Sequence, residues 1–436
     1  MSSPAPPIAP AMASPTPPVT ECPTQSSLLA LPDVNLEDIF LRLPTPAALA
    51  RASLACAAFR RIITERSFLR RFRKLHPPPL LGIIDDEGVF APTEAPHPSA
   101  PLSRALVQGA DFTYSFVPKP LGKNHTIWSP CDVRDGRVLL EHRRFGADTF
   151  FTDLAVCDPL SRRYLLLPPI PEDMTIEQER LYELRHFLIP IREDEDETSL
   201  KVICLSYYRS KLVTFIFSSV TGQWCIAAST SWSSLGVVDP FRRLFSCFNY
   251  FRGCFYWSLD WEHKLLVLDT HRMEFSTLSI HHPAYYMKFI GQPEHIRCMP
   301  TVVEDRKGAL EVFNLVGDPF ESTPFGLMGG PYDLTPFYIY HTFQQKGESS
   351  SAWQLLNVME LPRGYSYYTV GAAEGFLFLG GIGKTQSEGP DDWSADVFSL
   401  EVKASQLKKV CRATNATVFC FQSYFGFPPS LSTPSL

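Results

Sequence analysis

The sequence predicts a multidomain α+β chain in which a small all-α domain precedes a larger all-β domain. Residues 27–76 place apolar side chains at helical spacing, whereas residues 104–425 alternate short aromatic and β-branched runs with turns. Two proline-rich stretches separate these regions from their surroundings. We therefore expect a disordered tail at 1–26, a linker at 77–103 and a second disordered tail at 426–436. Within the linker, Leu80, Leu81, Ile83 and Ile84 could add a short strand.

Composition narrows the range of functions. A net charge of -6 gives the chain no general basic field, so neither nucleic acid nor an anionic membrane is the expected main partner. No apolar run approaches the length of a membrane-spanning helix, and the N-terminus lacks the pattern of a secretion signal. The 11 cysteines include no CxxC pair, which favours reduced thiols in the cytoplasm or nucleus.

The all-α region contains recognisable helix boundaries. Asn35 is the expected N-cap of a first helix, which Pro44 ends. Thr45 is the expected N-cap of the second helix, with Pro46 at its first position, and Ser67 is the expected N-cap of the last. So few helical residues bury little surface, and a partner is therefore expected on physical grounds.

The run LPDVNLEDIFLRLP at 31–44, followed by apolar positions at 49–56, FRRII at 59–63 and Ser67-Phe68, resembles an F-box, especially those of grasses. The usual Trp near the end of the second helical region is missing. Its position falls on Ala58 or Phe59, and we assign it to Phe59 because a ring there buries comparable apolar area. An ordinary helical bundle is the alternative interpretation.

The resemblance implies a Skp-family adaptor, bound in turn by a cullin, and ubiquitin transfer by another subunit. It also implies which side chains form the adaptor-binding surface, with the last of them at its rim: Leu31, Pro32, Ile39, Leu43, Pro44, Leu49, Leu54, Phe59 and Arg60. A basic run from Arg60 to Lys74 follows. It is interpreted either as a solvated helix face or as a complement to an acidic adaptor, with RNA or DNA binding a weaker interpretation.

The all-β region carries a repeat. In each copy, a pair of residues closes a strand, and a large apolar residue follows in the next strand after a short polar turn. The copies are Cys157-Asp158 with Tyr164, Phe217-Ser218 with Trp224, Leu268-Asp269 with Phe275 and Leu400-Glu401 with Leu407. A glycine opens a further apolar strand upstream of several copies.

The spacing of these copies is near the period of about 50 residues found in kelch-type blades, which predicts a β-propeller of six or seven blades. Residues 417–425 could return to close the ring. The segment AVCDPLSRRYLLLPPIP at 155–171 resembles the F-box-associated propeller domains of plants. A pair of β-sandwiches is the alternative architecture.

Catalytic motifs are absent from the sequence: it contains no GxSxG, no phosphate-binding loop and no HExxH. We therefore expect no enzymatic activity, cofactor or metal. The sequence predicts a substrate-recruiting subunit of a cullin-based (SCF-type) ubiquitin ligase, with a protein target held on the β domain. The alternatives are a propeller scaffold outside ubiquitin chemistry and a propeller enzyme with titratable groups at the ring axis.

Overall fold

The computed structural model describes residues 31–76, 78–85, 87–119, 127–142, 152–171, 174, 179, 181–190, 199–237, 248–259, 264–280, 300–304, 310–316, 337–345, 352–373, 375–383, 394–402, 405–414 and 421–426. The chain divides into two compact units, Met1–His76 and Pro77–Leu436. None of the helices described in these ranges is long and apolar enough to cross a membrane. The predicted tails lie outside the described residues, except for Gly426.

The first unit is helical. Its described elements are α1 (Asp33–Leu41), α2 (Pro46–Ala55), α3 (Ala57–Ile63) and α4 (Arg66–Leu75). Thr45 caps α2 as predicted, because its Oγ1 accepts a hydrogen bond from the Ala48 N–H at 3.1 Å. The chain breaks after α2 at Cys56, whose extended backbone separates α2 from α3.

The first and last of these helices begin earlier than the sequence predicted. In α1, the Pro32 carbonyl already accepts the Asn35 N–H at 3.0 Å, so Asn35 lies inside the first turn and does not cap the helix. In α4, Glu65 is the N-cap and Ser67 is the second helical residue. The N-caps Pro32 and Glu65 form no side-chain hydrogen bond with the helix. A prediction based on residue types that cap through their side chains therefore placed both helix starts too late.

Aromatic rings form the centre of the helical unit. Phe40 meets the edges of Phe59 and Phe68, with ring centroids 5.0 Å and 6.5 Å away, and Phe72 stacks on Phe68 at 6.2 Å. Such offset and edge-to-face contacts are the favoured geometries of aromatic pairs. The remaining buried apolar side chains of this core are Leu36, Leu49, Ile62, Ile63 and Leu69.

The second unit is a β-propeller. It begins with β1 (Leu80–Ile84), β2 (Phe90–Pro92) and α5 (Ala100–Gly109). The next two sheets are blade 1, with β3 (Trp128–Arg134), β4 (Arg137–His142), β5 (Leu154–Asp158) and β6 (Arg163–Leu166), and blade 2, with β7 (Leu181–Ile189), β8 (Lys201–Tyr208), β9 (Lys211–Ser218) and β10 (Gln223–Ser231).

Three further four-stranded sheets follow along the chain. Blade 3 has β11 (Phe248–Phe251), β12 (Cys254–Leu259), β13 (Lys264–Asp269) and β14 (Glu274–Ser279), and blade 4 has β15 (Pro300–Glu304), β16 (Leu310–Val316), β17 (Tyr338–Gln345) and β18 (Ala352–Glu360). Blade 5 has β19 (Tyr365–Ala373), β20 (Phe376–Gly383), β21 (Ser394–Glu401) and β22 (Gln406–Thr414). Last comes β23 (Gln422–Phe425).

Blade 6 joins the two ends of this unit. The strand β23 pairs antiparallel with β1, from Leu80↔Phe425 to Ile84↔Gln422, and β1 pairs with β2 on its other side. Closure by residues 417–425 was anticipated, and the described part of that segment is the strand β23. The described residues thus contain six sheets, at the lower end of the predicted six or seven.

The segment 77–103 is not a linker, in contrast to the sequence prediction. It supplies β1, β2 and the start of α5, and α5 packs on these strands through Ser103, which donates to the Leu81 carbonyl and accepts the Thr93 N–H at 3.1 Å. The prolines that suggested a linker end β2 at Pro92 and occupy the first turn of α5 at Pro101. Proline is favoured at such boundaries, so its frequency marked turns within a folded blade.

The predicted repeat is the hairpin between the third and fourth strands of a blade. The paired residues lie directly opposite each other in blades 1, 2, 3 and 5: Cys157↔Tyr164, Phe217↔Trp224, Leu268↔Phe275 and Leu400↔Leu407. Trp224 enters the core as expected, whereas Tyr164 is exposed. The predicted strand-opening glycines 136, 253 and 375 all have positive φ and lie between the first and second strands of blades 1, 3 and 5.

The core of the propeller is shared between neighbouring blades. Separate buried clusters join blades 1 and 2, 2 and 3, 3 and 4, 4 and 5, 5 and 6, and 6 and 1. A blade cannot bury both faces of its sheet alone, so each depends on its neighbours. These shared clusters run around a closed ring and are incompatible with the alternative of paired β-sandwiches.

Candidate functional site

The helical unit exposes several apolar side chains. Ile39 on α1 is 41% exposed and Leu54 on α2 is 79% exposed, although both are aliphatic. Because a domain this small gains no stability from apolar side chains left in water, these residues are candidates for contact with a partner. Of the other residues predicted to bind an adaptor, Pro32, Pro44 and Arg60 are exposed, and Leu31, Leu43 and Phe59 are half-buried.

Leu49 and Phe59 need a different interpretation from the other predicted residues. Leu49 is only 3% exposed, so its side chain supports the helical core and is not available at the surface. Phe59 is half-buried, and its ring packs against Phe40. A change at Phe59 therefore disturbs the fold as well as any surface, which makes it a poor reporter of binding alone.

Part of the basic run is neutralised within the helical unit. Arg61 pairs with Asp33 at 2.7 Å, and Arg71 pairs with Glu37, so both arginines tie later helices to α1. Arg60 is exposed beside Phe59 on α3. The side chains of Arg66, Arg70, Arg73 and Lys74 lie outside the described part of the structure.

The propeller has a cavity at its axis, with a volume of about 190 Å³. Its described lining comes mainly from the innermost strands β3, β7, β11, β19 and β23. Because the first strand of each blade faces the axis, side chains far apart in sequence meet there.

Three of these lining residues bring different donor atoms together. Cys131 on β3, Glu141 on β4 and His186 on β7 place one sulfur, one oxygen and one nitrogen atom within 4.8 Å of one another. The His186 Nδ1 lies 3.3 Å from the Glu141 Oε2. The Cys131 thiol donates to the Leu139 carbonyl at 3.4 Å.

The environment changes the protonation of these groups. Burial raises the pKa of the Cys131 thiol to about 12, although its hydrogen bond with His186 opposes the change. For His186, burial disfavours the charged ring, but Cys204, Cys131 and Glu141 together hold its pKa well above the usual value.

Asp132 and Arg134 brace the wall of the cavity next to these three residues. The Asp132 Oδ2 accepts the Leu188 N–H of blade 2 at 2.7 Å and the Arg134 Nε–H at 3.1 Å. The Arg134 guanidinium lies 5.1 Å from the ring centroid of Tyr250 and 5.4 Å from that of Phe255, both in blade 3. Burial raises the pKa of Asp132, while Arg134 opposes that shift. The two side chains connect blades 1, 2 and 3.

Sequence reasoning did not find this axial group. The search for metal ligands considered short spacings, but Cys131, Glu141 and His186 become neighbours only when blades 1 and 2 pack side by side. The strand pattern gives no clear signal, because β4 also contains Arg137 and His142, and β7 also contains Glu183 and Arg185. A polar residue in a buried strand next to the axis is a candidate functional residue.

Comparison with known proteins identifies the first unit. Residues 28–71 match the family described as F-box domain. A search of curated proteins finds no match. The helical unit is thus an F-box, and the chain is a small N-terminal F-box followed by a six-blade β-propeller.

Solved structures resemble the chain only distantly. They include the alpha-L-arabinofuranosidase of Fusarium graminearum in complex with arabinobiose, at 14% identity over 64% of this chain and 79% of that chain, with a TM-score of 0.34. A putative TolB from Agrobacterium tumefaciens has 10% identity over 68% and 87%, with a TM-score of 0.34. The WD40 domain of SCAP from fission yeast has 10% identity over 64% and 74%, with a TM-score of 0.31. Similarity this low carries no information about activity.

Proposed function

We propose that this protein is the substrate-recruiting subunit of a cullin-based (SCF-type) ubiquitin ligase. The observation that carries the proposal is the F-box at residues 28–71. In this proposal the F-box binds a Skp-family adaptor, which links the chain to a cullin, and the propeller holds a protein target. We also propose that the protein acts in the cytoplasm or nucleus. We further propose that it belongs to the plant F-box proteins that its sequence resembles.

The exposed apolar residues of the F-box support adaptor binding. Burying a leucine side chain contributes about 1.5–3 kcal/mol, so Leu54 and Ile39 are suited to anchor a partner. In this proposal Leu31, Pro32, Leu43 and Pro44 also contribute to the adaptor-binding surface, with Arg60 at its rim. The exposure of Pro32, Pro44 and Arg60 supports these roles. A rim charge changes the association rate more than the affinity.

The propeller supports the role of a rigid platform. Shared cores join all six blades, so the ring presents its loops from a fixed frame. A ligase subunit that holds a target near the ubiquitin-loaded enzyme accelerates transfer by proximity and supplies no bond chemistry of its own. No catalytic step is therefore assigned to this chain.

Charge substitutions in the full chain test the adaptor surface. Ile39→Asp and Leu54→Asp should each weaken binding to a Skp-family adaptor by roughly 30-fold or more, since hot-spot changes cost about 2 kcal/mol or more. Calorimetric titration measures the affinity, and circular dichroism checks the fold. Val34→Asp is the matched control, because Val34 is 68% exposed on α1 but is rotated by about 140° from Ile39.

Two outcomes would contradict the proposal. If both aspartate variants bound the adaptor as tightly as the unchanged chain, the predicted surface would be wrong. If the unchanged chain bound no Skp-family adaptor, a propeller scaffold outside ubiquitin chemistry would be the better description.

Deleting residues 77–436 should retain adaptor binding and abolish target recruitment, as judged by the proteins that co-purify with each form.

A further inference from the structure

The axial group of Cys131, Glu141 and His186 has no role in the proposed function. Adaptor binding uses the F-box, and a rigid platform does not need a thiol, a carboxylate and an imidazole at one point. All three nevertheless line the axial cavity, and their donor atoms lie within 4.8 Å of one another. This convergence of three donor types requires a chemical explanation.

We propose that Cys131, Glu141 and His186 bind a single Zn²⁺ ion, with the fourth coordination position directed toward the axial cavity. Zinc commonly has four ligands in a tetrahedron, drawn from cysteine sulfur, histidine nitrogen and carboxylate oxygen. Sites with three protein ligands keep one position for water or another ligand. The side chains on β3, β4 and β7 supply one donor of each type.

One distance in the group matches the edge of a zinc tetrahedron, and all three donor atoms lie within 4.8 Å of one another. Two zinc ligands that each bond at about 2.0–2.1 Å lie about 3.3 Å apart at a tetrahedral angle. The His186 Nδ1 and the Glu141 Oε2 are 3.3 Å apart. That separation suits a long hydrogen bond as well as a tetrahedral edge, so the two side chains are placed to hold either a shared proton or a metal ion.

The donor set also selects the metal. A thiolate and an imidazole favour zinc over the hard ions magnesium and calcium, which prefer oxygen ligands only. The thiolate and the carboxylate together neutralise the two positive charges of the ion. Zinc binds a thiolate and a neutral imidazole, so the thiol proton leaves to solvent as the sulfur–zinc bond forms. Affinity should therefore rise with pH.

The fold holds the ligands in place without the ion. Cys131 and Glu141 lie on paired strands of blade 1, and the contact of Asp132 with the Leu188 N–H fixes blade 1 against the strand that carries His186. Ligands on rigid strands are positioned more precisely than ligands on loops. Zinc would then cross-link blades 1 and 2 at the axis of the ring.

Metal binding can be measured directly on the untagged full chain, purified with its adaptor if needed. Zinc content after dialysis should be about one ion per chain by mass spectrometry. Titration with Co²⁺ should give the thiolate charge-transfer band and the intense visible bands of a tetrahedral site. Cys131→Ser, Glu141→Gln and His186→Gln should each lower the Zn²⁺ affinity by roughly tenfold or more.

Cys254→Ser is the matched control, because the Cys254 thiol is also half-buried but lies in blade 3. It should retain full binding and the same Co²⁺ spectrum. The proposal is overturned if the unchanged chain binds no zinc, if its cobalt spectrum lacks the thiolate band, or if Cys131→Ser binds as well as the unchanged chain. The spectrum of the unchanged chain decides the matter even if a variant fails to fold.

Discussion

In four blades, the last residue of the turn between the third and fourth strands has a left-handed backbone. Arg162, Gly222, Met273 and Ser405 occupy this equivalent position, with φ between 50° and 69°. In blades 1 and 3 an aspartate stabilises the turn. The Asp158 Oδ1 accepts the Leu160 N–H at 2.9 Å, and the Asp269 Oδ1 accepts the N–H of His271 at 2.7 Å. Only blade 2 has glycine at the left-handed position among these four blades.

Replacing the left-handed residue with glycine should stabilise the propeller. The left-handed conformation costs an L-residue about 1–2 kcal/mol, of which the greater freedom of glycine in the unfolded chain offsets about 0.5–1 kcal/mol. Ser405→Gly should therefore raise the free energy of unfolding by about 0.5–1 kcal/mol, measured by urea denaturation. Ser405 is exposed, so the change removes little packing.

Gly222→Ala is the reciprocal variant and should lower the free energy of unfolding by about 1 kcal/mol. A Cβ atom at Gly222 would meet nothing within 4 Å, so any loss reports backbone strain alone. The prediction is contradicted if neither Ser405→Gly nor Gly222→Ala changes the free energy of unfolding. The left-handed backbone would then cause no strain at this position.

Residue patterns predicted parts of the candidate sites and missed others. The exposed Ile39 and Leu54 were found because the F-box pattern is a local one. Leu49 was assigned to the same surface, but its place in the core depends on helix packing that a linear pattern does not encode. Cys131 and His186 were missed for a related reason, because only the ring brings their strands together.

At the scale of elements, β23 is the strand on which ring closure depends. Tyr424 lies on this strand and is 3% exposed, with its ring meeting the edges of Phe90 and Phe112 at 5.7 Å and 5.2 Å. Its hydroxyl donates to the Gly136 carbonyl of blade 1 at 3.4 Å. One side chain thus joins the last strand to the rest of blade 6 and to blade 1.

Tyr424→Ala should lower the free energy of unfolding of the propeller by about 3 kcal/mol or more, because truncating a buried ring leaves a cavity. Tyr424→Phe should cost about 1 kcal/mol or less, since it keeps the ring and loses a long hydrogen bond. Chemical denaturation followed by tryptophan fluorescence gives both values. Ser423→Ala on the same strand serves as the control, and a Tyr424→Ala loss no larger than its own would argue against closure through β23.

The strand repeat could be predicted from the sequence, whereas blade 6 was anticipated only in part, as a short strand near residue 80 and a returning segment at 417–425. Each outer hairpin is local, so its paired residues and its turn follow one another within about ten residues. The strand β1 pairs with β23, which lies at the other end of the unit. The short apolar run that forms β1 is flanked by prolines in the sequence. Composition therefore predicted a linker where long-range pairing forms a blade.

At the scale of the whole molecule, the unit boundary lies between His76 and Pro77. It does not lie at residue 104, where the sequence placed the start of the β domain. Residues 80–103 provide two strands and the beginning of α5, which blade 6 requires. A fragment that starts at residue 104 would leave β23 without its partner strand.

Two fragments should therefore differ sharply. Residues 77–436 should fold as a monomer with one cooperative thermal transition, because the fragment holds every strand of the described ring. Residues 104–436 should show a broad transition or aggregate, since the open edge of β23 is exposed. Calorimetry and size-exclusion chromatography distinguish these results. A cooperative, monomeric 104–436 fragment would mean that blade 6 is dispensable.

The pairing of Ile84 with Gln422 has a consequence for synthesis. These neighbours are about 340 residues apart in the chain. At typical rates of 5–20 residues per second, the ribosome needs roughly 20 to 70 s between them, while the F-box segment has already emerged. A nonsense mutation just before codon 422 would spare the F-box and leave the ring open. In the proposed function such a product would retain adaptor binding and lose target recruitment.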